Sequence, residues 1–129
     1  MNKIVVTVCS RQKSADPRPL PAHKRYLGSH ITKVQAIAAQ AGDQFYILSG
    51  YLGLVPSEDE TPHYDYLLTE DGVREARGRI ALQLVAGGIS EIHFYTKNKS
   101  NWRFYNEALA EAAREVRAEL HLHYLGDND

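Results

Sequence analysis

Short apolar runs alternate with amphipathic segments along this chain, and that alternation limits the fold more than any single residue does. KIVVTVC (3–9), QFYILS (44–49), SEIHFYT (90–96) and AELHLHYLG (118–126) read as strands. SHITKVQAIAAQAG (29–42), TEDGVREARGRIALQLVAGG (69–88) and SNWRFYNEALAEAAREV (100–116) read as helices. The order β, α, β, α, β, α, β predicts an α/β fold. The expected form is a three-layer, Rossmann-like or flavodoxin-like arrangement of four mainly parallel strands with helices on both faces. The continuous β-branched run at 3–9 fits a strand covered on both sides. In the last strand His121 and His123 alternate with Leu120 and Leu122, which suits an edge.

Local signals set the ends of these elements. Ser29 and Thr69 are expected to cap the first two helices, and Gly42 to close the first in the left-handed conformation. The segments between, 10–28 and 50–68, are long, the first of them polar with three prolines, and both are expected to be loops leaving the carboxyl edge of the sheet. In open α/β sheets that edge carries the ligand.

A length of 129 residues predicts a single domain over 1–129. With 43% hydrophobic residues and a net charge of -1, nothing global calls for a membrane or a nucleic-acid partner. No apolar run approaches the ~18 residues of a membrane span. The lone Cys9 cannot pair within the chain and suits a reducing cytoplasmic setting.

Candidate chemistry gathers at the strand ends. Cys9, Ser10 and Lys13 follow the first strand, and Lys13 offers a cation or, deprotonated, a nucleophile. Ser29 and His30 open the following helix, and His30 is a candidate proton donor. Ser49, Gly50 and Tyr51 follow the second strand. There Gly50 is expected to let backbone approach a ligand, and Tyr51 to stack on a base. Asp65 is a candidate general acid or base in the second loop, with Tyr64 and Tyr66 beside it. Thr96, Lys97, Asn98, Lys99 and Ser100 run into a helix start suited to an anion. Arg11, Arg18, Lys24, Arg25 and Arg103 are expected to add positive potential to the same rim. No G-x-G-x-x-G or Walker pattern is present, and neither C-x-x-C nor helical H-x-x-x-H occurs, so no cofactor and no metal are expected.

Two motifs carry a resemblance. One is Cys9-Ser10-Arg11-Gln12-Lys13 followed by Tyr26-Leu27-Gly28-Ser29. The other is Ile47-Leu48-Ser49-Gly50-Tyr51-Leu52-Gly53-Leu54 followed by Pro62-His63-Tyr64-Asp65. They resemble small α/β domains of bacteria and phages, most of them uncharacterised. The C-S-x-x-K element is also similar to one in the catalytic domain of archaeosine synthase, a tRNA base-modifying enzyme. That resemblance implies a lysine nucleophile, here Lys13, with Ser29 and His30 nearby.

Three functions follow as expectations. The first is a nucleobase- or nucleotide-handling enzyme, a base-modifying transferase or an N-glycosidic-bond hydrolase using Lys13. The second is a non-catalytic module for a nucleotide or nucleic acid, of a phage-defence or signalling type. The third is a homodimeric interaction domain using the apolar stretch 50–56.

Overall fold

A computed structural model describes residues 2–126. The strands are β1 (Asn2–Val8), β2 (Leu20–Pro21), β3 (Gln44–Ser49), β4 (Gly53–Pro56), β5 (Glu60–Thr61), β6 (Ile89–Thr96) and β7 (Glu119–Tyr124). The helices are α1 (Ala22–Arg25), α2 (Ser29–Ala41), α3 (Val73–Ala86) and α4 (Arg103–Val116).

The main sheet has five strands in the order β4-β3-β1-β6-β7, not the four expected. β1, β3, β6 and β7 are parallel, and β4 runs antiparallel beside β3. The extra strand is GLVP, which the glycine and proline make look like loop. Gly53 takes φ +79, a conformation that favours glycine, and so lets the chain reverse at once after Ser49. Gln83 then clamps the turn, accepting the Leu54 N–H at 2.7 Å and donating to the Leu52 carbonyl at 3.0 Å.

Alternate residues of β1 enter two core clusters, as the two-residue period of a strand requires. Ile4, Val6 and Val8 pack with Ile80 and Leu84 of α3 and Leu109 of α4. Val5 packs with Ile31, Val34 and Ala38 of α2 and with Phe45 and Ile47 of β3. Leu54 and Val55 of β4 divide between the same two clusters. The stretch 50–56 is therefore mostly interior, not the exposed apolar patch expected of a dimer contact. Leu54 and Val55 are buried, and Tyr51 alone is strongly exposed.

Helix ends follow the sequence unevenly. Gly42 closes α2 at φ +72, with its N–H directed to the Ala38 and Ala39 carbonyls. Ser29 is the first helical residue and not the cap. Gly28 holds that place, and no side chain caps the helix. Thr69 likewise makes no capping bond. It precedes a single 3₁₀ turn, Glu70–Gly72, and α3 begins only at Val73. A second 3₁₀ turn, Ser100–Trp102, leads into α4.

The first long segment is not loose either. β2 pairs antiparallel with β5 in a two-stranded ribbon, and Lys13 bridges to Tyr26. Arg25 lies fully buried beneath it and is no part of the basic rim expected of it. Its guanidinium donates to the carbonyls of Ser14 (2.7 Å), Asp16 (2.9 Å), Arg18 (2.6 Å) and Thr61 (3.3 Å). A planar fork with five donors is the side chain that can meet so many acceptors at once.

Candidate functional site

β1 is the middle strand, and the chain leaves it toward β3 on one side and returns to β6 on the other. The crevice between the ends of β1 and β6 is thus where strand order reverses, the usual place for a ligand in an open α/β sheet. A cleft of about 320 Å³ lies there. Its walls come from Val8–Arg11 and Lys13 after β1, Gly28–His30 at the start of α2, Asp65–Leu67, and Lys97, Lys99, Asn101, Trp102 and Tyr105.

The cleft brings together Cys9, Ser10, Lys13, Ser29, His30 and Asp65, six of the residues that the motifs single out. Their roles divide by what their polar atoms already hold. Ser10 Oγ donates to the Gln12 carbonyl (2.7 Å) and accepts the Gly28 N–H (3.1 Å), so it fixes the extended entry to α2. A Cβ on Gly28 would lie 2.6 Å from His30 Cε1 and 2.9 Å from Ser10 Cβ, which leaves room for glycine alone. Burial pushes the Cys9 thiol up, against the lowering effect of the Gly50 N–H and of Lys13. Cys9 is therefore a packed thiol and not a thiolate nucleophile.

His30 is buried, and its Nε2–H donates to the Val8 carbonyl at 2.6 Å. Its ring meets Trp102 edge-on at 4.9 Å. The hydrogen that would make His30 a donor to a ligand is spent inside the protein. Burial lowers its affinity for a second proton, the Val8 bond opposes this, and the Lys97 charge adds to it. The folded state therefore binds that proton more weakly than the unfolded chain, whose imidazole sits near 6.5. The stabilisation is complete above about 6.5 and is lost as the pH falls below it. Between about pH 7.5 and pH 5.5 the urea midpoint of the native chain should fall, and that of His30→Gln should fall less. Equal falls in the two proteins would remove His30 from this account.

Ser49, Gly50, Tyr51, Thr96 and Asn98 do not line the cleft. Ser49 Oγ accepts the N–H groups of Tyr51 (3.2 Å) and Leu52 (3.0 Å), so its own hydrogen points to Tyr64 Oη at 2.7 Å. Tyr64 Oη in turn lies 2.5 Å from Tyr26 Oη. Burial raises both phenols, Tyr26 to about 12, and they stay protonated. Gly50 is tight against the protein and not against a ligand: a Cβ there would lie 2.8 Å from Leu68 Cβ. Thr96 is buried and bonds Asn106, whose amide donates to the Lys97 carbonyl at 3.1 Å. Asn98 is exposed on the rim.

Tyr51 stands outside, its ring 5.3 Å from Tyr64 and 5.7 Å from Tyr66. It borders a second hollow of about 110 Å³ with Gly50, Gly72, Glu75, Ala76 and Arg79. Tyr66 lines both hollows, so the ring that faces the cleft is Tyr66, with Tyr51 behind it.

The electrostatics of the cleft are one-sided. Arg11, Lys13, Lys97 and Lys99 line it against the single carboxylate of Asp65. Lys13 Nζ lies 4.9 Å from the Tyr64 ring centre, and Lys97 Nζ lies 5.6 Å from that of Trp102. Neither α2 nor α4 has an acidic residue in its first turn or a side-chain cap, and the 3₁₀ turn before α4 takes the Arg103 N–H on the Ser100 carbonyl. Trp102 and Tyr105 stand three apart in SNWRFYNEALAEAAREV, the spacing of one helix face. They are core residues, and they also form the cleft floor. Their place at the sheet edge, Trp102 in the 3₁₀ turn before α4 and Tyr105 in its first turn, is what puts them in the cleft.

A third set of polar groups lies away from the cleft, where β6 and β7 pair. Glu91 and His93 stand beside His121 and His123 there. Sequence spacing joins the last two but does not reveal the first pair.

Comparison with curated proteins and with solved structures yields no match. One family model does match, described as a family of unknown function (DUF6884), and it spans residues 4–121. That stretch takes in every residue that lines the cleft and at least part of each strand, and the chain belongs to this family.

Proposed function

We propose that the cleft binds a nucleotide or nucleobase ligand and acts on it, with Lys13 as nucleophile and Asp65 as general acid or base. The observation that carries this reading is the conjunction of four cations, two uncapped helix starts and the Tyr66 and Trp102 rings in one crevice. Phosphate suits the helix starts and the lysines, and a flat base suits the aromatic rings. A volume of about 320 Å³ is at the scale of a small-ligand site. The reading takes the sheet as doubly wound and flavodoxin-like, and places the protein in the reducing cytoplasm, where a lone buried thiol persists.

Among the groups in the cleft, Lys13 and Asp65 are the ones suited to chemistry at a base. As a free amine, Lys13 would attack the sugar carbon of an N-glycosidic bond while Asp65 gives its proton to the leaving base. Attack on an electrophilic carbon of a modified base would use the same two groups, in line with the resemblance to the archaeosine synthase motif.

A second reading is a binding module without turnover. It is favoured by the hydroxyl of Ser10 and the N–H of His30, which are both held by protein partners. Native mass spectrometry of protein purified from cells, followed by calorimetry with nucleoside 5′-monophosphates, tests the common part. A retained nucleotide, or micromolar binding that weakens about tenfold in Lys99→Ala, supports the site. Failure of every monophosphate and of inorganic phosphate to bind would sink it. A ligand that binds and returns unchanged selects the module.

A further inference from the structure

We infer that the paired strands β6 and β7 carry a site for a divalent transition metal, most naturally Zn²⁺, separate from the cleft. Its ligands are Glu91, His93 and His121, with His123 as the group that orients them.

Register brings these residues together. β6 and β7 are parallel, with Glu91 opposite Glu119, His93 opposite His121, and Tyr95 opposite His123. Residues two apart on a strand share a side, and so do paired residues on neighbouring strands. His93 also pairs with Val5, so these groups lie on the side of the sheet where α2 packs against β1 and β3. All of them are partly accessible there, which leaves an entry path for an ion.

The atoms are already close. One ligand atom each from Glu91, His93 and His121 falls within 4.8 Å of the others. In a tetrahedral Zn²⁺ site the ligand atoms stand about 3.3 Å apart. The His93 and His121 rings lie parallel, 4.6 Å apart and 7° from coplanar orientation. Small side-chain rotations on a fixed backbone close the remaining gap. Two imidazoles and one carboxylate leave a fourth position for water, a donor set suited to Zn²⁺, Co²⁺ or Ni²⁺ and not to Mg²⁺ or Ca²⁺.

Hydrogen-bond direction gives the second argument. Without metal, His93 Nε2–H donates to Glu91 Oε2 at 2.6 Å. His93 Nδ1 then accepts from His123 Nε2 at 3.0 Å. With metal on His93 Nε2, the hydrogen of that ring sits on Nδ1 and donates to His123 Nε2, whose own hydrogen moves to Nδ1. Each ring keeps one hydrogen, so binding needs no net proton release from neutral rings. His123 thereby takes the part of the outer acceptor that metal-bound histidines regularly have. Its ring also stacks on Tyr95 at 4.5 Å, which holds its orientation.

The charges around the site fit. Glu119 lies 3.6 Å from His121 Nε2, and Lys3 is the cation that acts on Glu91.

The test is to strip the full chain with a chelator, dialyse it, and titrate it with Zn²⁺ by calorimetry and with Co²⁺ by visible absorption. One ion per chain is expected, with a tetrahedral or five-coordinate Co²⁺ spectrum. His121→Asn should weaken binding by at least 30-fold, and His123→Ala by about tenfold. His63→Asn, on an exposed loop residue outside this cluster, should change nothing. Circular dichroism checks that each variant is folded. No stoichiometric ion in the native chain, or equal affinity in the native chain and a folded His121→Asn, overturns the proposal. Because neither strand face lines the cleft, nucleotide binding and metal binding can fail separately.

Discussion

Arg25→Ala should cost about 3–5 kcal/mol and leave much of the chain unfolded at 37 °C. The guanidinium is wholly buried and serves four main-chain carbonyls, those of Ser14, Asp16, Arg18 and Thr61. Truncation leaves these acceptors behind, and each buried orphan costs about 1–3 kcal/mol where water cannot reach it. Part of that cost is recovered because water enters near the half-buried Ser14 and Asp16. Arg25→Lys keeps a charge but has three donors and no planar fork, so it should lose roughly half as much. Urea denaturation followed by circular dichroism measures both. A loss below about 1 kcal/mol for Arg25→Ala would mean that the segment 14–18 is held by something else.

Lys13→Ala has the largest expected effect on activity. If Lys13 is the nucleophile, release of free base from a nucleoside 5′-monophosphate should fall by about 10³-fold or more, as nucleophile removal generally does. Stability should change little. Lys13 Nζ makes a long contact of 3.5 Å to the Arg11 carbonyl and stands over the Tyr64 and Tyr26 rings, cation–ring contacts worth about 0.5–1 kcal/mol each at exposed sites. Chromatography of the reaction mixture and a thermal melt of the same sample check both halves. Lys13→Arg then separates two roles. A guanidinium can hold an anion but does not act as a nucleophilic amine, so binding should return without turnover. Full turnover in Lys13→Ala would remove the lysine from the chemistry.

Much of the fold can be read from the chain, because its parallel strands are short apolar runs separated by amphipathic helical segments. β1, β3 and β6 declare themselves in this way, and Gly42 marks the end of α2. β4 does not. Four residues beginning with glycine and ending with proline are too few to show a period, and its place is set by Gln83, thirty or so positions away. The cleft was partly legible for a related reason. Strand-end position identifies Cys9, Ser10, Lys13, Ser29, His30 and Asp65, but not whether their polar atoms are free. Ser49 is the sharpest case. It stands at a strand end like Ser10, yet its lone pairs belong to a turn and its hydrogen to Tyr64. Arg25 shows the converse: nothing in a run of basic residues tells which one is interior.

The two long segments are fastened to each other at several heights. The Ala22 N–H reaches the Asp59 carbonyl at 2.9 Å, and the His23 N–H reaches that of Ser57 at 3.1 Å. Arg25 meets Thr61, and Tyr26 meets Tyr64. They behave as one clasp, not as two flaps. The cleft lip that bears Lys13 and the lip that bears Asp65 and Tyr66 are set when the chain folds, so the proposed ligand would find its walls already standing. Little ordering would then be left for the moment of binding, which lowers the number of contacts a small molecule needs to be held.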